Sequence, residues 1–285
     1  MGCFRSINLL VITIATVRLQ NVNMTALKDK IALVTGATSG IGLSIARSFA
    51  GSGMTLIING LGHENELETI RLSIEQEYAV DVMLDTTDLR HAGNIETMLS
   101  TLLSRYGRID VLCNNAGVQH VAPIETLSTE KWDQILAINL SAAFHTTRLL
   151  LPSMKAIGWG RIINIASVHG FRASPYKAAY ISAKHGLVGF TKATAVEVAT
   201  QGITCNAICP GYVDTPLVEN QIESQMCAHN LDRAAVVQDI MLARQPSKQF
   251  VEASDIGALA LFLCSPQAAS ITGTAMPSDG GWSAF

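Results

Sequence analysis

A glycine-rich turn between the first predicted strand and the first predicted helix is the sequence feature that most constrains the fold. Residues 31–34 are continuously apolar, which is typical of a strand buried on both faces of a sheet. Ile41, Ile45 and Phe49 then recur at helical spacing. Between these two segments, residues 35–42 read TGATSGIG, with three glycines where a strand must turn tightly into a helix. The chain is therefore predicted to begin with a β/α unit of a parallel sheet.

Strands and helices alternate through the rest of the sequence. Further strands are predicted at residues 55–59, 80–84, 109–113, 161–166, 203–208 and 274–277, and helices near 67–74 and 95–102 and at 129–151, 178–199 and 254–264. Pro152 is expected to mark the end of the third of these helices. Because alternating β and α units form parallel sheets with helices on both faces, the sequence predicts the α/β class, with a single Rossmann-type doubly wound parallel sheet.

Two segments stand apart from this alternation. The polar stretch at about 212–250 contains no predicted strand and is expected to form a helical substrate lid. Residues 1–23 precede Met24 and contain an apolar run that is shorter than the roughly 20 residues of a membrane helix. They are either an export or transit signal, or a dispensable extension or misassigned start. Residues 24–285 are predicted to form one domain, with no stable insertion into a membrane.

The composition excludes some classes of partner. The 285-residue chain is 48% hydrophobic and has a formal net charge of −3, which suits a globular domain and gives no basic surface for nucleic acid. Its six cysteines form no Cys-x-x-Cys pair, so we expect neither a disulfide framework nor a metal site. Cys205 and Cys209 share one face of a predicted strand and are expected to be buried as small apolar residues. A reducing, cytoplasmic location fits this cysteine usage best.

The glycine turn is suited to binding a dinucleotide. Gly36 allows the tight turn, Gly40 lets the backbone approach a pyrophosphate, and Gly42 lets the helix pack closely against the sheet. The N-terminus of the helix offers N–H groups to the phosphates. The expected cofactor contacts in this turn are Gly36, Thr38, Ser39, Gly40, Ile41 and Gly42.

Residues after the second and third strands bear on which dinucleotide is bound. No Arg or Lys lies between residues 54 and 70, where a 2′-phosphate would require positive charge, so NAD is favoured over NADP. Asn59 stands at the end of the second strand, where an acidic residue would hold the ribose, and its amide is expected to hydrogen-bond the hydroxyl instead. Asp88 is either a ligand of the adenine amino group or the N-cap of the next helix.

Tyr180 and Lys184 form a candidate acid/base pair. Their i, i+4 spacing places both side chains on one helical face. A tyrosine has a pKa of about 10, and an ammonium about 4 Å away contributes about 4 kcal/mol at an effective dielectric constant near 20, or about three pKa units. Tyr180 is therefore expected to be a general base whose pKa is lowered by Lys184. Lys184 is also expected to hydrogen-bond the nicotinamide ribose.

Other polar residues converge on the same edge of the sheet. Ser167 follows the fifth strand and residues 114–117, NNAG, follow the fourth, at the carboxyl ends where ligands bind in such sheets. Asn139 lies in an apolar helix and is either a satisfied core amide or part of the site. With TGATSGIG, YISAK at 180–184 and CPG at 209–211, these motifs resemble the short-chain dehydrogenase/reductase family from about residue 25 to the end.

This resemblance implies a Rossmann fold, a homotetramer and a tetrad of Asn, Ser, Tyr and Lys. On this basis Tyr180 is the base, Ser167 positions the substrate oxygen, Lys184 holds the ribose, and Asn139 anchors a water relay. Further cofactor contacts are expected at Asn115, Ala116, Gly117, Tyr180, Lys184, Pro210, Val213 and Thr215.

Four more polar side chains are expected to face the space above Tyr180, namely Gln119, His169, Lys177 and Gln221. A lysine, a histidine and two amides suit a small carboxylate. Residues 114–120, 162–170 and 215–221 resemble a subgroup of the family that acts on 3-hydroxybutyrate, which implies that these four residues bind the carboxylate, with Ser167 and Tyr180 on the hydroxyl. Tyr212 and Asp214 depart from that subgroup, where Trp and Arg are expected.

The resemblance implies reversible oxidation of (R)-3-hydroxybutyrate to acetoacetate with NAD. One alternative is the same fold acting on another small hydroxy acid, a sugar or a β-keto acyl substrate. The other is an NAD-binding sensor without catalysis.

Overall fold

The computed structural model describes residues 26–284, apart from the side chains at positions 217, 220, 224 and 228. The predicted extension 1–23 therefore lies outside the described residues. None of the helices in 26–284 has both the length and the hydropathy that are needed to cross a bilayer.

Seven parallel strands form the sheet, and each predicted strand overlaps an observed one. The strands are β1 (Ile31–Val34), β2 (Thr55–Asn59), β3 (Val82–Asp85), β4 (Val111–Asn114), β5 (Gly160–Ile165), β6 (Ile203–Pro210) and β7 (Ala275–Ser278). Their order is β3-β2-β1-β4-β5-β6-β7, and every neighbouring pair runs parallel. The predicted doubly wound Rossmann-type sheet is thus confirmed, with its switch point between β1 and β4.

Helices cover both faces of the sheet. They are α1 (Gly40–Gly51), α2 (Glu64–Tyr78), α3 (Ala92–Tyr106), α4 (Thr129–Leu136), α5 (Ala142–Ile157), α6 (Ala178–Val198), α7 (Pro216–His229), α8 (Arg233–Ala235) and α9 (Ala253–Cys264). In β1, Ala32 and Val34 pack with Ile45 of α1 on one face, whereas Leu33 packs with Leu99 of α3 on the other. This two-sided burial explains why the strand is apolar at every position.

The predicted helix 129–151 is divided in two and extends further than expected. A π-helical turn, Ala137–Ser141, separates α4 from α5. The expected end at Pro152 is wrong, because α5 continues to Ile157. Met154 is fully buried there and lies so close to Gly160 that an added Cβ would approach its sulfur to 2.7 Å. This packing holds the last turn of the helix despite the N–H that proline lacks.

The segment 212–250 forms the predicted helical lid. It contains α7, α8 and a π-helical turn, Val236–Met241, and it has its own apolar cluster built on Val218, Ile222, Val236 and Met241. A β-bridge between Val213 and Val251 closes its base. The lid is therefore a small packed unit joined to the carboxyl edge of the sheet.

Candidate active site

The glycine turn has the close contacts that a backbone cradle requires. Gly36 has φ +61° and Gly40 has φ +50°, a region that favours glycine. A Cβ on Gly42 would lie 2.1 Å from the Gly36 carbonyl oxygen and 2.4 Å from Asn115 Nδ2. Ser39 is the N-cap of α1, and its side chain makes no capping hydrogen bond within the described residues. The turn therefore presents uncapped backbone at a helix N-terminus, as a pyrophosphate requires.

Replacing Gly42 by alanine is expected to destabilise the fold by at least about 2 kcal/mol, since the new methyl group would meet fixed backbone. Gly93 of α3 provides a matched control, because a Cβ there would meet nothing within 4 Å. Gly93→Ala is expected to be neutral or stabilising by up to about 1 kcal/mol. Urea unfolding of both variants measures the difference, and equal stability of Gly42→Ala and the parent would contradict the packing argument.

The side chain of Asn115 braces this turn. Its Nδ2 donates to the carbonyls of Thr35 at 3.0 Å and Gly36 at 2.8 Å. The Thr35 hydroxyl also accepts the backbone N–H groups of Asn115 and Ala116. Both amide hydrogens of Asn115 are thus committed to bracing the turn, and its contact with the cofactor stays a prediction.

Asn59 and Asp88 both have partners within the protein, and their contacts with the cofactor stay predictions. Asn59 is only 2% exposed, and its Nδ2 donates to Asp85 Oδ1 at 2.8 Å and to the Thr87 carbonyl at 3.1 Å. It links β2 to β3 and does not present its donors to a ribose. Asp88 is not a helix cap, because His91 occupies the N-cap of α3. Its carboxylate instead accepts from Arg90 Nε at 2.9 Å, and this ion pair lowers the pKa of Asp88 to about 2.

Tyr180, Ser167 and Lys184 meet beyond the end of β5. Lys184 is buried, donates from Nζ to the Ile165 carbonyl at 2.7 Å, and lies 5.5 Å from the centroid of the Tyr180 ring. Burial lowers the pKa of Lys184 to about 8. Burial also raises the pKa of Tyr180 to about 12, although a hydrogen bond with Ser167 acts in the opposite direction.

The expected lowering of the Tyr180 pKa by Lys184 is therefore wrong for the protein alone. Loss of hydration on burial raises the pKa of Tyr180 more than its hydrogen bond with Ser167 lowers it. An additional favourable interaction with the phenolate is required before Tyr180 can act as a base near neutral pH.

The side chain of Asn139 is fully bonded to backbone. It lies in the π-helical turn, accepts from the Val118 N–H at 3.2 Å, and donates to the carbonyls of Val118 at 2.9 Å and Ile135 at 3.0 Å. A Cβ on Gly117 would lie 2.6 Å from its Oδ1. The amide thus fixes the loop after β4, and the satisfied-amide interpretation is correct for its side chain.

A small cleft opens beside Tyr180. All six predicted substrate-binding residues line it, namely Gln119, Ser167, His169, Lys177, Tyr180 and Gln221. Four residues predicted to contact the cofactor line it as well, Ile41, Pro210, Val213 and Thr215.

The cleft offers hydrogen-bond donors that suit an anion. Gln119 Nε2 is buried and has no hydrogen-bond partner in the described part of the chain. Burial lowers the pKa of Lys177 to about 8, which still leaves its ammonium mostly charged at neutral pH. A buried unpaired donor is costly, and a bound carboxylate would satisfy both groups.

His169 contributes a neutral ring to the cleft. Burial lowers its pKa to about 3, and Lys177 and Arg244 act in the same direction. Its Nε2 lies 3.0 Å from the Ser174 hydroxyl and its Nδ1 lies 3.4 Å from the Ser167 hydroxyl. The side chain can therefore hydrogen-bond and orient Ser167, but it brings no positive charge.

Sequence reasoning missed two residues that support these side chains. Trp282 packs edge-on against His169, with ring centroids 5.4 Å apart, and stacks on Tyr212 at 5.6 Å. Gln245 is fully buried and accepts the Tyr212 N–H on its Oε1 at 3.3 Å. No local pattern indicates these contacts, since they join the end of the chain to the base of the lid.

The chain belongs to the short chain dehydrogenase family, whose model matches residues 30–226. Among its relatives, a D-beta-hydroxybutyrate dehydrogenase of Rhizobium meliloti is 47% identical over 90% of this chain and 99% of that protein. One from Cupriavidus necator is 49% identical over 90% of this chain and 98% of that protein. A solved structure of a variant actinorhodin polyketide ketoreductase with NADPH is also similar, at 36% identity and a TM-score of 0.85, and it covers 90% of this chain and 98% of that one.

Proposed function

We propose that this protein oxidises (R)-3-hydroxybutyrate reversibly to acetoacetate with NAD. The single observation that carries the proposal is the cleft in which the unpaired amide of Gln119 and the ammonium of Lys177 line the same space as Tyr180. The two D-beta-hydroxybutyrate dehydrogenases among the relatives support the same substrate.

The glycine cradle and the lining of the cleft fit a dinucleotide. Backbone groups of residues 36–42 would hold the pyrophosphate, and Ala116, Gly117, Pro210, Val213 and Thr215 would border the nicotinamide half. When bound, NAD⁺ supplies the hydride acceptor and a positive charge beside the phenol. The absence of Arg and Lys from residues 54–70 supports NAD over NADP.

Tyr180 takes the proton of the substrate hydroxyl in the oxidation and returns it in the reduction. Ser167 hydrogen-bonds the same oxygen and is itself held by His169, whose backbone N–H donates to the Ser167 hydroxyl at 3.1 Å. Lys184 favours the phenolate through its charge and hydrogen-bonds the ribose. Asn139 fixes the loop that borders the site.

Lys177 and Gln119 bind the substrate carboxylate, with Gln221 and the neutral ring of His169 completing the contacts. Fixing one end of a four-carbon acid places C3 beside Tyr180, and such orientation supplies a large part of the acceleration. We further propose that residues 24–285 act as one catalytic domain in a cytoplasmic homotetramer.

The proposed function is tested by NADH formation on (R)- and (S)-3-hydroxybutyrate. The R enantiomer is expected to be preferred about hundredfold or more in kcat/KM, because the S enantiomer cannot place both its hydroxyl and its hydrogen correctly. Lys177→Ala is expected to raise KM about hundredfold, since it removes a buried charged partner of the carboxylate, and to affect kcat less.

Lys192→Ala is the matched control, because Lys192 is exposed on α6 and should leave KM unchanged. Faster turnover of a sugar, or of a β-keto ester with NADPH, would replace the proposed substrate. A parental KM for Lys177→Ala would refute its role in carboxylate binding.

A further inference from the structure

Tyr212 enters the cleft from the base of the lid, and its ring is held in one orientation. It stacks on Trp282 with ring centroids 5.6 Å apart and planes inclined by 28°. Its backbone N–H donates to Gln245 Oε1 at 3.3 Å, and its carbonyl accepts the N–H of Val251 at 2.9 Å. Both the ring and the backbone of Tyr212 are therefore fixed before any ligand binds.

The hydroxyl of Tyr212 makes no hydrogen bond to the residues that the structure describes. It is also absent from the buried polar atoms that lack a partner, so it keeps some exposure to solvent, and the residue itself lines the cleft. Burial of the side chain raises the pKa of Tyr212, which keeps the phenol protonated at neutral pH. The cleft thus contains an O–H donor without a partner from the described chain.

This donor lies among the groups assigned to the substrate carboxylate. The ammonium of Lys177 is 5.6 Å from the centroid of the Tyr212 ring, and Gln119, with its unpaired Nε2, lines the same cleft. A carboxylate has two oxygens with about four acceptor sites. Because each of these sites can accept a separate hydrogen bond, a further donor beside those already proposed adds affinity without displacing them.

We propose that the Tyr212 hydroxyl is a further substrate-binding group, which donates a hydrogen bond to the carboxylate beside Lys177. This inference rests on the proposed function and deepens it. Tryptophan, the residue implied at this position by the resemblance, has no hydroxyl, so the contact distinguishes this chain. Aromatic stacking at position 212 is a separate property that either residue provides.

The test is Tyr212→Phe, which removes the hydroxyl but retains the ring beside Lys177 and Trp282. The KM for (R)-3-hydroxybutyrate and the inhibition constant of malonate, a carboxylate that is not oxidised, are both expected to rise about tenfold. This factor is the size expected for losing one hydrogen bond to a charged group. The kcat is expected to change much less, because the contact is the same in the ground and transition states.

Tyr176→Phe is the control, since Tyr176 is exposed outside the cleft and should leave both constants unchanged. A parental KM and inhibition constant for Tyr212→Phe would overturn the proposal. A rise in these two constants that occurs only in Tyr212→Leu, which also removes the ring, would overturn it as well. Thermal unfolding and NAD binding verify that each variant is folded. If the parent does not oxidise 3-hydroxybutyrate at all, the proposed function fails instead.

Discussion

Tyr180→Phe is expected to lower kcat for 3-hydroxybutyrate oxidation by about a thousandfold or more. The substitution removes the only atom of this side chain that can accept the hydroxyl proton, and positioned acid/base groups contribute about 10²–10⁴ in rate. The ring itself should stay in place, because it packs with Ile135, Ala179 and Ala183 and lies edge-on to His169 at 6.0 Å. The rate of NADH formation under saturating substrates measures the effect.

Two further measurements distinguish a slower chemical step from weaker binding of NAD or a disturbed fold. The Kd for NAD is expected to rise no more than about tenfold, the value of one neutral hydrogen bond. Tyr106→Phe is the control variant, because its buried hydroxyl has no partner within 26–284 and the residue does not line the cleft. Turnover of Tyr180→Phe at the parental rate would eliminate the acid/base role of this residue.

The fold was largely predictable because its signals are local. Continuous apolar runs such as that of β1 identify strands buried on both faces, and the alternation with helices fixes the parallel arrangement. The end of α5 was not predictable from Pro152, since the packing of Met154 against Gly160 depends on a strand that follows later in the chain. Long-range packing overrides a local preference in such cases.

The residues that line the cleft were predictable, but their environments were not. Strand ends place Ser167 and the loop after β4 at one edge, which a topological argument anticipates. Burial of Tyr180, however, involves residues distant in sequence such as Ile135, so the sequence alone led to the wrong sign for its pKa shift. The hydrogen bond of the Asn59 amide was not predictable for a similar reason, because its partner Asp85 belongs to the neighbouring strand.

Lys184→Met is expected to shift the pH dependence of oxidation to higher pH and to lower kcat about hundredfold near neutrality. Lys184 Nζ lies 5.5 Å from the centroid of the Tyr180 ring, and a unit charge at roughly this distance contributes ~3 kcal/mol at an effective dielectric constant near 20, or about two pKa units. Oxidation requires the phenolate of Tyr180, so its rate rises with pH up to the pKa of that group. Removing the ammonium destabilises the phenolate and therefore raises the pKa of Tyr180. The pH range in which the oxidation rate rises then shifts to higher pH.

The size of this shift depends on the charge of Lys184 itself. Its pKa of about 8 in the protein alone implies that the difference between parent and variant is largest below about pH 8 and narrows above it. Lys192→Met, the same substitution at an exposed position of α6, should retain the parental profile. The contrary outcome is a Lys184→Met enzyme that is slower but has the parental pH dependence of oxidation. Lys184 would then act only by hydrogen-bonding the Ile165 carbonyl and the ribose, and not through its charge on Tyr180.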